Sequence, residues 1–360
     1  MLWRTGRSCG DCDAQLSQWR LSWPYDLRLH GFMNAPFRFV DLFAGIGGIR
    51  MGLERANGSC VYSVEIDRFA RETYEANFGP CEGKDIHAVQ ASDLPPYDVL
   101  AAGFPCQPFS LAGVSKKRSL GRLHGFDDEK SGNLFFEITR LIEEAATPPP
   151  VLFLENVKNL VSHDGHITFR VIRDTLEALG YHFRHRVIDA QTWVPQHRER
   201  TFMVCLHRDV FGDDAFEFPE PPLGLPRPTI RDILDPEPPE KYRLSQHLWD
   251  YLQAYSAKHR AAGNGFGYGL VGPDSVSRTL SARYHKDGSE ILVRTDRSTP
   301  RRLTPRECAR LMGFPDTFII PVSDTQAYRQ FGNSVVMPVV AYLAQHLADR
   351  YLSRALASAA

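Results

Sequence analysis

The chain has 360 residues, of which 43% are hydrophobic and 24% are charged, and its formal net charge is −1. This length allows one large domain and a smaller one, and the near-neutral charge excludes a protein-wide attraction to nucleic acid, so any such contact must come from a local basic cleft. No run of about 18 apolar residues occurs, so no membrane-spanning helix is predicted. The seven mostly scattered cysteines favour a reducing compartment over a disulfide framework.

The N-terminal segment differs from the sequence that follows it. Residues 1–35 lack regular hydrophobic periodicity and the apolar stretch of a signal peptide, and we interpret them as a disordered or non-catalytic extension. Cys9 and Cys12 form a C-x-x-C pair in this segment. No second pair follows at the spacing of a zinc site, so no metal is predicted.

Strands and helices alternate from residue 37 to residue 206. The predicted strands are FRFVDLF (37–43), CVYSVEI (60–66), YDVLAA, PPPVLFLEN and RTFMVCL (200–206). The predicted helices between them are IRMGLERAN, DRFARETYEANF, NLFFEITRLIEEA (133–145) and ITFRVIRDTLEALG. This alternation is typical of an α/β protein with a doubly wound, mostly parallel, Rossmann-like sheet.

The composition changes near residue 212, where a proline-rich and weakly periodic stretch begins. Glycine-rich sequence that predicts loops and short strands continues to about residue 300. QFGNSVVMPVVAYLAQHLADRYL then returns to a long, apolar, helical pattern. We therefore predict a first domain of residues 36–212 plus 326–352, and a smaller second domain of residues 213–325.

A glycine turn, FAGIGG, follows the first predicted strand. It departs from the G-x-G-x-x-G signature of nicotinamide cofactors, because Arg50 stands where the last glycine is needed. Glu65 ends the second strand, 20 residues after Gly45, where a carboxylate can accept hydrogen bonds from ribose hydroxyls. Asp41 would repel a pyrophosphate but favour a cation, so S-adenosylmethionine fits better than a dinucleotide. The alternative is a turn that only connects a strand to a helix.

Cys106 lies in GFPCQPFS, directly after the strand YDVLAA. Pro105 and Pro108 have a fixed φ and restrict the conformations of this loop. A thiol held at the carboxyl end of a parallel strand is placed where open α/β sheets carry their chemistry, which makes Cys106 a candidate nucleophile. The alternative is a buried cysteine that packs as a small hydrophobic residue.

An acid and two arginines are the remaining candidates. Glu155 follows the hydrophobic strand VLFL, and burial there would raise its pKa and make it a proton donor near neutral pH; the alternative is a residue that begins a helix. Arg198 and Arg200 in PQHRER lie on one face of an extended segment. Their guanidinium groups suit a phosphate or a pyrimidine carbonyl, and the alternative is a solvated basic face.

Seven motifs occur in a diagnostic order: FAGIGG, ID, DI, GFPCQPFS, ENVKNL, QHRER and QFGNSV. This series resembles the cytosine-C5 DNA methyltransferases over residues 37 to 350. The loop GVSKKRSLGRLHGF and the stretch GFGYGLVGPDSVSRTLSARYHKDGSEIL are similar to the Dcm-like branch, whose members modify CCWGG or CCNGG. The resemblance implies a Rossmann-like methyltransferase that takes S-adenosylmethionine as its cofactor, with residues 213–325 as the target-recognition domain.

The family's chemistry implies a role for each candidate. Cys106 corresponds to the nucleophile that adds to C6 of a cytosine flipped out of double-stranded DNA. Glu155 corresponds to the acid that contacts N3 and the exocyclic amine, and Arg200, together with Arg198, to the arginines that orient the ring and a phosphate. The cofactor pocket corresponds to Phe43, Gly45, Gly47, Glu65, Ile66, Asp85, Ile86, Leu134, Asn333 and Ser334.

Contacts with DNA are expected at two places. We interpret the basic loop 115–122 as a lid that closes on the DNA backbone, and the alternative is a solvated loop. We interpret Arg278 and Arg283 as readers of guanine edges in the major groove, and the alternative is that they brace the small domain internally. Their neighbours Tyr284, His285 and Lys286 are expected to anchor phosphates. The full set of predicted DNA-binding side chains is Gln107, Ser110, Lys116, Lys117, Arg118, Arg278 and Arg283.

We expect a monomer in the bacterial cytoplasm, associated with the nucleoid, and the sequence leaves open whether a cognate restriction endonuclease acts beside it. A tRNA methyltransferase of the same fold is one alternative, and the long insert at 213–325 favours DNA over tRNA. A catalytically idle DNA-binding relative is another, and intact Cys106, Glu155 and Arg200 argue against it. A thiol hydrolase is disfavoured because no cysteine–histidine pairing is evident.

Overall fold

A six-stranded sheet forms the centre of the computed structural model, which describes residues 36–105, 134–224, 226–263 and 267–355. Its strands are β1 (Phe37–Leu42), β2 (Gly58–Val64), β3 (Val99–Gly103), β4 (Val151–Val157), β5 (Tyr181–Asp189) and β6 (Glu199–His207). The strand order is β2-β1-β3-β4-β6-β5. The pairs β2–β1, β1–β3 and β3–β4 are parallel, whereas β6 is antiparallel to β4 and to β5. The predicted mostly parallel α/β sheet is therefore confirmed.

Helices cover both faces of the sheet. The α-helices of the described residues are α1 (Gly48–Arg55), α2 (Arg68–Phe78), α3 (Leu134–Glu144), α4 (Ile167–Ala178), α5 (Arg208–Phe211), α6 (Gln246–Ala261), α7 (Pro305–Leu311), α8 (Asp324–Asn333) and α9 (Met337–Leu347). Of these, α6 packs in a separate cluster with residues of the second, smaller sheet. Because successive side chains of a strand point to opposite faces, Phe39 packs in one cluster with residues of α1 and α9, and Val40 packs in another with residues of α3 and α4. This is the predicted doubly wound arrangement.

Strand β5 is absent from the predicted elements. Its Tyr181 and Phe183 are buried, while Arg184 and His185 are exposed, so it lacks the continuous apolar run of the central strands. It lies at the edge of the sheet and pairs only with β6. One face of an edge strand remains in contact with water, which permits the charged side chains that obscured it in the sequence.

The C-terminal helical pattern is interrupted. Helix α8 ends at Asn333, and α9 begins at Met337 with a proline in its first turn, so the predicted long helix is two helices. The break brings Ser334 against the glycine turn: a Cβ atom on Gly48 would lie 2.8 Å from Ser334 Oγ. Only glycine leaves room for this approach.

Within the predicted second domain, β7 (Leu270–Val271), β8 (Leu292–Val293) and β9 (Arg301–Arg302) form a small sheet. Helix α6 was not predicted from the sequence; its first turn is capped by the Ser245 hydroxyl, which accepts a hydrogen bond from the Leu248 amide at 3.2 Å. Buried residues of this region join the same hydrophobic cluster as α1 and α9. The domain boundaries at residues 213 and 325 stay a prediction.

Across the described ranges, no helix combines the length and the apolar character that crossing a bilayer requires. Cys9 and Cys12 lie outside those ranges.

Candidate active site

The carboxyl ends of β3 and β4 bring two parts of the predicted site together. Gly103 is paired with Glu155 in the parallel register of these strands, and Cys106 follows Gly103 by three residues. Cys106 itself lies outside the described residues, as do Gln107, Ser110, Lys116, Lys117 and Arg118. The structure therefore describes the approach to the predicted nucleophile and the acid beside it.

Asn156 holds the backbone that enters this loop. Its Nδ2 donates to the carbonyl oxygen of Phe104 at 2.8 Å, and its Oδ1 accepts from the amide of Val157 at 2.8 Å. Asn156 is buried, so both hydrogen bonds form away from water. The sequence analysis did not single out Asn156, although it follows Glu155 directly. Its only sequence signal was its place in the ENVKNL motif.

Glu155 lies inside β4, so the alternative that it begins a helix is wrong. Its side chain is only 8% exposed, and its Oε1 lies 3.3 Å from Nε of Arg200. Burial raises the pKa of the Glu155 carboxyl, and the positive charges of Arg200 and Arg198 oppose this rise. The raised pKa agrees in direction with the sequence-based expectation.

Arg198 and Arg200 have different partners. Arg200 lies beside the Glu155 side chain and is paired with Val157, the last residue of β4, in the antiparallel β4–β6 register. Arg198 is 1% exposed and donates to three backbone carbonyls, those of Leu280, Gly332 and Ser334, at 2.7, 2.9 and 2.6 Å. Its guanidinium is therefore already engaged within the protein, which argues against the direct contact with a cytosine ring or a phosphate expected from the sequence.

The glycine turn and Glu65 are joined by hydrogen bonds. The amide of Gly45 donates to Glu65 Oε2 at 2.8 Å, and the amide of Asp67 donates to Oε1 at 2.7 Å. Phe43, Gly45 and Gly47 all have positive φ angles, of 57°, 56° and 83°. Each carboxylate oxygen has a second lone pair, so Glu65 is held in place and can still accept a ligand hydroxyl.

The other predicted cofactor residues differ in accessibility. Ile66 is 62% exposed, which is unusual for a large apolar side chain and leaves a surface beside Glu65 for a flat aromatic ring. Asp85 is exposed and caps a short turn by accepting from the amide of His87 at 3.1 Å, whereas Ile86 is buried. Leu134 and Ser334 are half-buried and Asn333 is exposed.

Asp41 is a buried carboxyl beside this turn. It is 0% exposed, and neither of its oxygens has a hydrogen-bond partner among the described residues. Burial raises its pKa to about 7, and the charge of Arg50 opposes the rise. A buried acceptor without a partner is costly, and a ligand with a positive charge and hydroxyl groups would satisfy both Asp41 and Glu65. These residues therefore fit S-adenosylmethionine.

The predicted target-reading residues are partly accessible. Arg278 and Arg283 are exposed, although Arg278 also donates to the carbonyl of Gly267 at 3.0 Å. The expectation that Tyr284 anchors a phosphate is wrong, because Tyr284 is 0% exposed. Its hydroxyl donates to the carbonyl of Ile291 at 2.6 Å and accepts from the amide of Leu303 at 2.8 Å.

Comparisons with known proteins identify the family. Residues 37–349 match the family model for C-5 cytosine-specific DNA methylases. The chain is 48% identical to the DNA-cytosine methyltransferase of Escherichia coli K12, over 86% of this chain and 77% of the relative. It is also 48% identical to the type II methyltransferase M.NlaX of Neisseria lactamica, over 86% of this chain and 96% of the relative.

The chain belongs to the C-5 cytosine-specific DNA methylases. It is an enzyme of this family, and the DNA-directed activity is favoured over the tRNA-directed and idle alternatives. Among solved structures, the Entamoeba histolytica methyltransferase EhMeth is similar to this methylase at a TM-score of 0.69 and 20% sequence identity. The match covers 88% of this chain and 98% of that protein's chain. The Dnmt2 methyltransferase of S. pombe is similar at a TM-score of 0.68 and 22% sequence identity, and the match covers 87% of this chain and 98% of that protein's chain. These two likenesses support the fold.

The raised pKa of Asp41 predicts a pH-dependent stability. Between its ordinary pKa of 3.8 and about 7, the folded methylase holds a proton that the unfolded chain releases, so the free energy of unfolding should fall as the pH rises through this window. Relative to Asp41→Asn, which cannot titrate, the fall between about pH 4.5 and about pH 8 should reach about 3 kcal/mol. Urea denaturation of the wild-type protein and of Asp41→Asn, each at about pH 4.5 and about pH 8, measures these free energies of unfolding.

Asp296→Asn is the matched control, because Asp296 is exposed. Its difference from the wild-type protein should stay constant between the two pH values. A constant difference for Asp41→Asn as well would show that Asp41 does not titrate in this range.

Proposed function

We propose that this methylase transfers a methyl group from S-adenosylmethionine to C5 of a cytosine flipped out of duplex DNA, at the inner cytosine of a CCWGG or CCNGG site. The observation that carries the chemistry is the pairing of the buried Glu155 with the half-buried Arg200. It stands at the carboxyl end of β4, beside the strand that leads to Cys106. The Dcm-like stretch at 264–292 supports the choice of site.

The reaction must overcome the weak nucleophilicity of C5 within an aromatic ring. In the proposed mechanism the Cys106 thiolate forms a bond to C6 while Glu155 donates its proton to N3, which leaves C5 with the character of an enamine carbon. The bound cofactor supplies an electrophilic methyl group. C5 accepts this methyl group. Loss of the C5 proton to a base then allows the C6–S bond to break, and N3 returns its proton to the Glu155 carboxylate as the aromatic ring is restored.

Glu155 suits the role of the proton donor. A carboxyl in water would be ionised near pH 7, but burial raises the pKa of Glu155 and thereby favours its protonated form. Arg200 lies close enough to hold the carboxyl in one orientation. Once Glu155 has released its proton, the same guanidinium stabilises the carboxylate.

In the proposed cofactor site, Glu65 accepts hydrogen bonds from the ribose hydroxyls and Ile66 contacts the adenine. The negative charge of the buried Asp41 favours the positive charge of the cofactor's sulfonium. The exposed Ile66 and the unpartnered oxygens of Asp41 support this arrangement. The remaining members of the proposed pocket are Phe43, Gly45, Gly47, Asp85, Ile86, Leu134, Asn333 and Ser334.

The proposal extends to the way in which DNA is held. Residues 213–325 act as the target-recognition domain, with Arg278 and Arg283 reading guanine edges. Gln107, Ser110 and the basic residues Lys116, Lys117 and Arg118 contact the target nucleotide and its backbone. The enzyme works as a monomer on nucleoid DNA in the bacterial cytoplasm, with or without a separate restriction endonuclease.

Replacement of the nucleophile tests the reaction. Cys106→Ser should lower kcat by roughly 10³-fold or more, because an alcohol is a far weaker nucleophile than a thiolate, while binding to DNA persists. Methyl transfer to duplex DNA and trapping on a 5-fluorocytosine duplex in the presence of cofactor are the measurements. Cys60→Ser should form the trapped complex as the wild-type enzyme does. Near-normal turnover by Cys106→Ser would refute the role of Cys106.

Binding of the cofactor tests the pocket. Glu65→Ala should weaken the binding of S-adenosylmethionine to the free enzyme by roughly 1–3 kcal/mol, because hydrogen bonds to a charged acceptor are lost. Isothermal titration calorimetry measures the affinity. Glu82→Ala is the control, since Glu82 is exposed and pairs with Glu65 only through the backbone. Equal affinities for the two variants would remove Glu65 from the pocket.

Transfer of residues 213–325 tests the target site. Grafted onto a family member of different known specificity, this segment should redirect methylation to CCWGG or CCNGG, since each bidentate arginine–guanine pair discriminates by about 1–3 kcal/mol. Bisulfite sequencing of host DNA maps the methylated cytosines. An active chimera that keeps its old site would show that another segment reads the target.

A further inference from the structure

The segment 195–198, which precedes β6, pairs with residues 277–284. We call residues 277–284 the reading segment, because they include the proposed target readers Arg278 and Arg283. The amide of Ser277 donates to the carbonyl of Pro195 at 2.8 Å, and the amide of His197 donates to the carbonyl of Ser277 at 2.9 Å. The Thr279 hydroxyl adds a hydrogen bond to the carbonyl of His197 at 2.6 Å. The reading segment is therefore joined to the catalytic sheet by a short ladder of strand-like hydrogen bonds.

Gln196 extends this attachment into the protein interior. It is 0% exposed, its Oε1 accepts from the amide of Leu280 at 2.7 Å, and its Nε2 donates to the carbonyl of Leu311 at 3.3 Å. Both ends of the amide are thus used, one by the reading segment and one by α7. A buried amide with both ends satisfied fixes the register of the segment that it binds.

Arg198 connects the reading segment to a third part of the chain. Its guanidinium binds the carbonyl of Leu280 on one side and the carbonyls of Gly332 and Ser334 on the other. We call residues 332–334 the closing segment, because they include the proposed cofactor residues Asn333 and Ser334. The planar guanidinium presents its donors in a fixed arrangement, which no other side chain reproduces.

The two segments bound by Arg198 are also in direct contact. A Cβ atom on Gly332 would lie 2.3 Å from the carbonyl carbon of Ser281 and 2.4 Å from the amide nitrogen of Ala282. Real Cβ atoms do not approach backbone atoms so closely, so the two backbones touch at a position that only glycine permits. Displacement of either segment would displace the other.

We propose that Arg198 is a positioning residue that sets the reading segment in register with the closing segment, so that recognition of the correct DNA sequence and assembly of the methyl-transfer site depend on the same buried contacts. This role rests on the proposed function. Arg198 touches neither the cytosine nor the cofactor in it, and acts through the backbones of Leu280, Gly332 and Ser334. Arg200, two residues further on, orients Glu155.

The decisive measurement is sequence fidelity. It is the ratio of kcat/KM for a duplex that carries the mapped target site to kcat/KM for a duplex with one base pair of that site changed. A variant that only loses folded protein lowers both values equally, and the ratio stays constant. Arg198→Met should lower the ratio at least tenfold and should also raise KM for S-adenosylmethionine.

Arg198→Lys separates geometry from charge. Lysine keeps the positive charge near Glu155, so the pH profile of kcat should match that of the wild-type enzyme, but it cannot bind the three carbonyls in the same way. Fidelity should therefore remain at least tenfold lower. Restoration of the wild-type ratio by lysine would overturn the proposal, because charge alone would then be sufficient.

Arg301→Met is the matched control. Arg301 is also a buried arginine, and its Nη1 and Nη2 each donate to a carboxylate oxygen of Glu307 at 2.7 Å. Its replacement should reduce stability without changing the fidelity ratio. An equal loss of fidelity in Arg301→Met and Arg198→Met would overturn the proposal, because the effect would then not be specific to the contacts of Arg198.

Hydrogen exchange tests the same contacts without any enzymatic assay. In the free protein, Arg198→Met should accelerate amide exchange at Leu280 and Ser334 at least tenfold more than Arg301→Met does. Unchanged exchange would refute the positioning role whether or not the protein methylates DNA. Accelerated exchange in a protein with no methylation of any duplex would instead refute the proposed function and leave the structural link intact.

Discussion

The three carbonyl oxygens around the Arg198 guanidinium come from segments that are distant in the chain, and their convergence decides how the carboxyl edge of the sheet is completed. A buried guanidinium loses its water and needs acceptors in return. Here the backbone supplies them, from Leu280, from Gly332 in the last turn of α8 and from Ser334 directly after that helix. The interruption of the C-terminal helical pattern at Ser334 is therefore required, because a continuous helix would use these carbonyls for its own hydrogen bonds.

A second, half-buried arginine two residues later has a different partner, and this difference organises the chemistry. Arg200 belongs to β6 and lies beside Glu155 on the neighbouring strand. Since β6 is antiparallel to β4, its amino end adjoins the carboxyl end of β4, where parallel α/β sheets place their active residues. Because β6 runs in the reverse direction, its first residues, which include Arg200, lie at the active edge of the sheet. In a parallel strand the first residues would lie at the opposite edge. The Glu155–Arg200 pair depends on this reversal.

The sequence predicted most of the sheet because its central strands, such as β4, are continuous apolar runs and the intervening helices are amphipathic. It did not predict β5, whose charged positions suit an edge strand, or α6, whose apolar face is interrupted by polar residues. The acidity of Glu155 was predictable, since burial after an apolar strand raises the pKa of a carboxyl. The partners of Arg198 and the burial of Tyr284 were not, because they depend on contacts with residues 82 and 19 positions away. Spacing along the chain carries no information about such contacts.

The carboxyls of Asp41 and Glu65 show how binding and stability oppose each other in this fold. Glu65 is satisfied by two backbone amides, and it shapes the glycine turn even without a ligand. Asp41 has no such partner among the described residues, and its burial raises its pKa to about 7. A protonated Asp41 costs the fold little but offers no charge to a cation, whereas an ionised one costs stability and attracts it. A positively charged ligand that binds near the buried Asp41 would favour its ionisation, release a proton near neutral pH and stabilise the folded state by mass action. The residue that weakens the free protein is thus the one best placed to strengthen its complex.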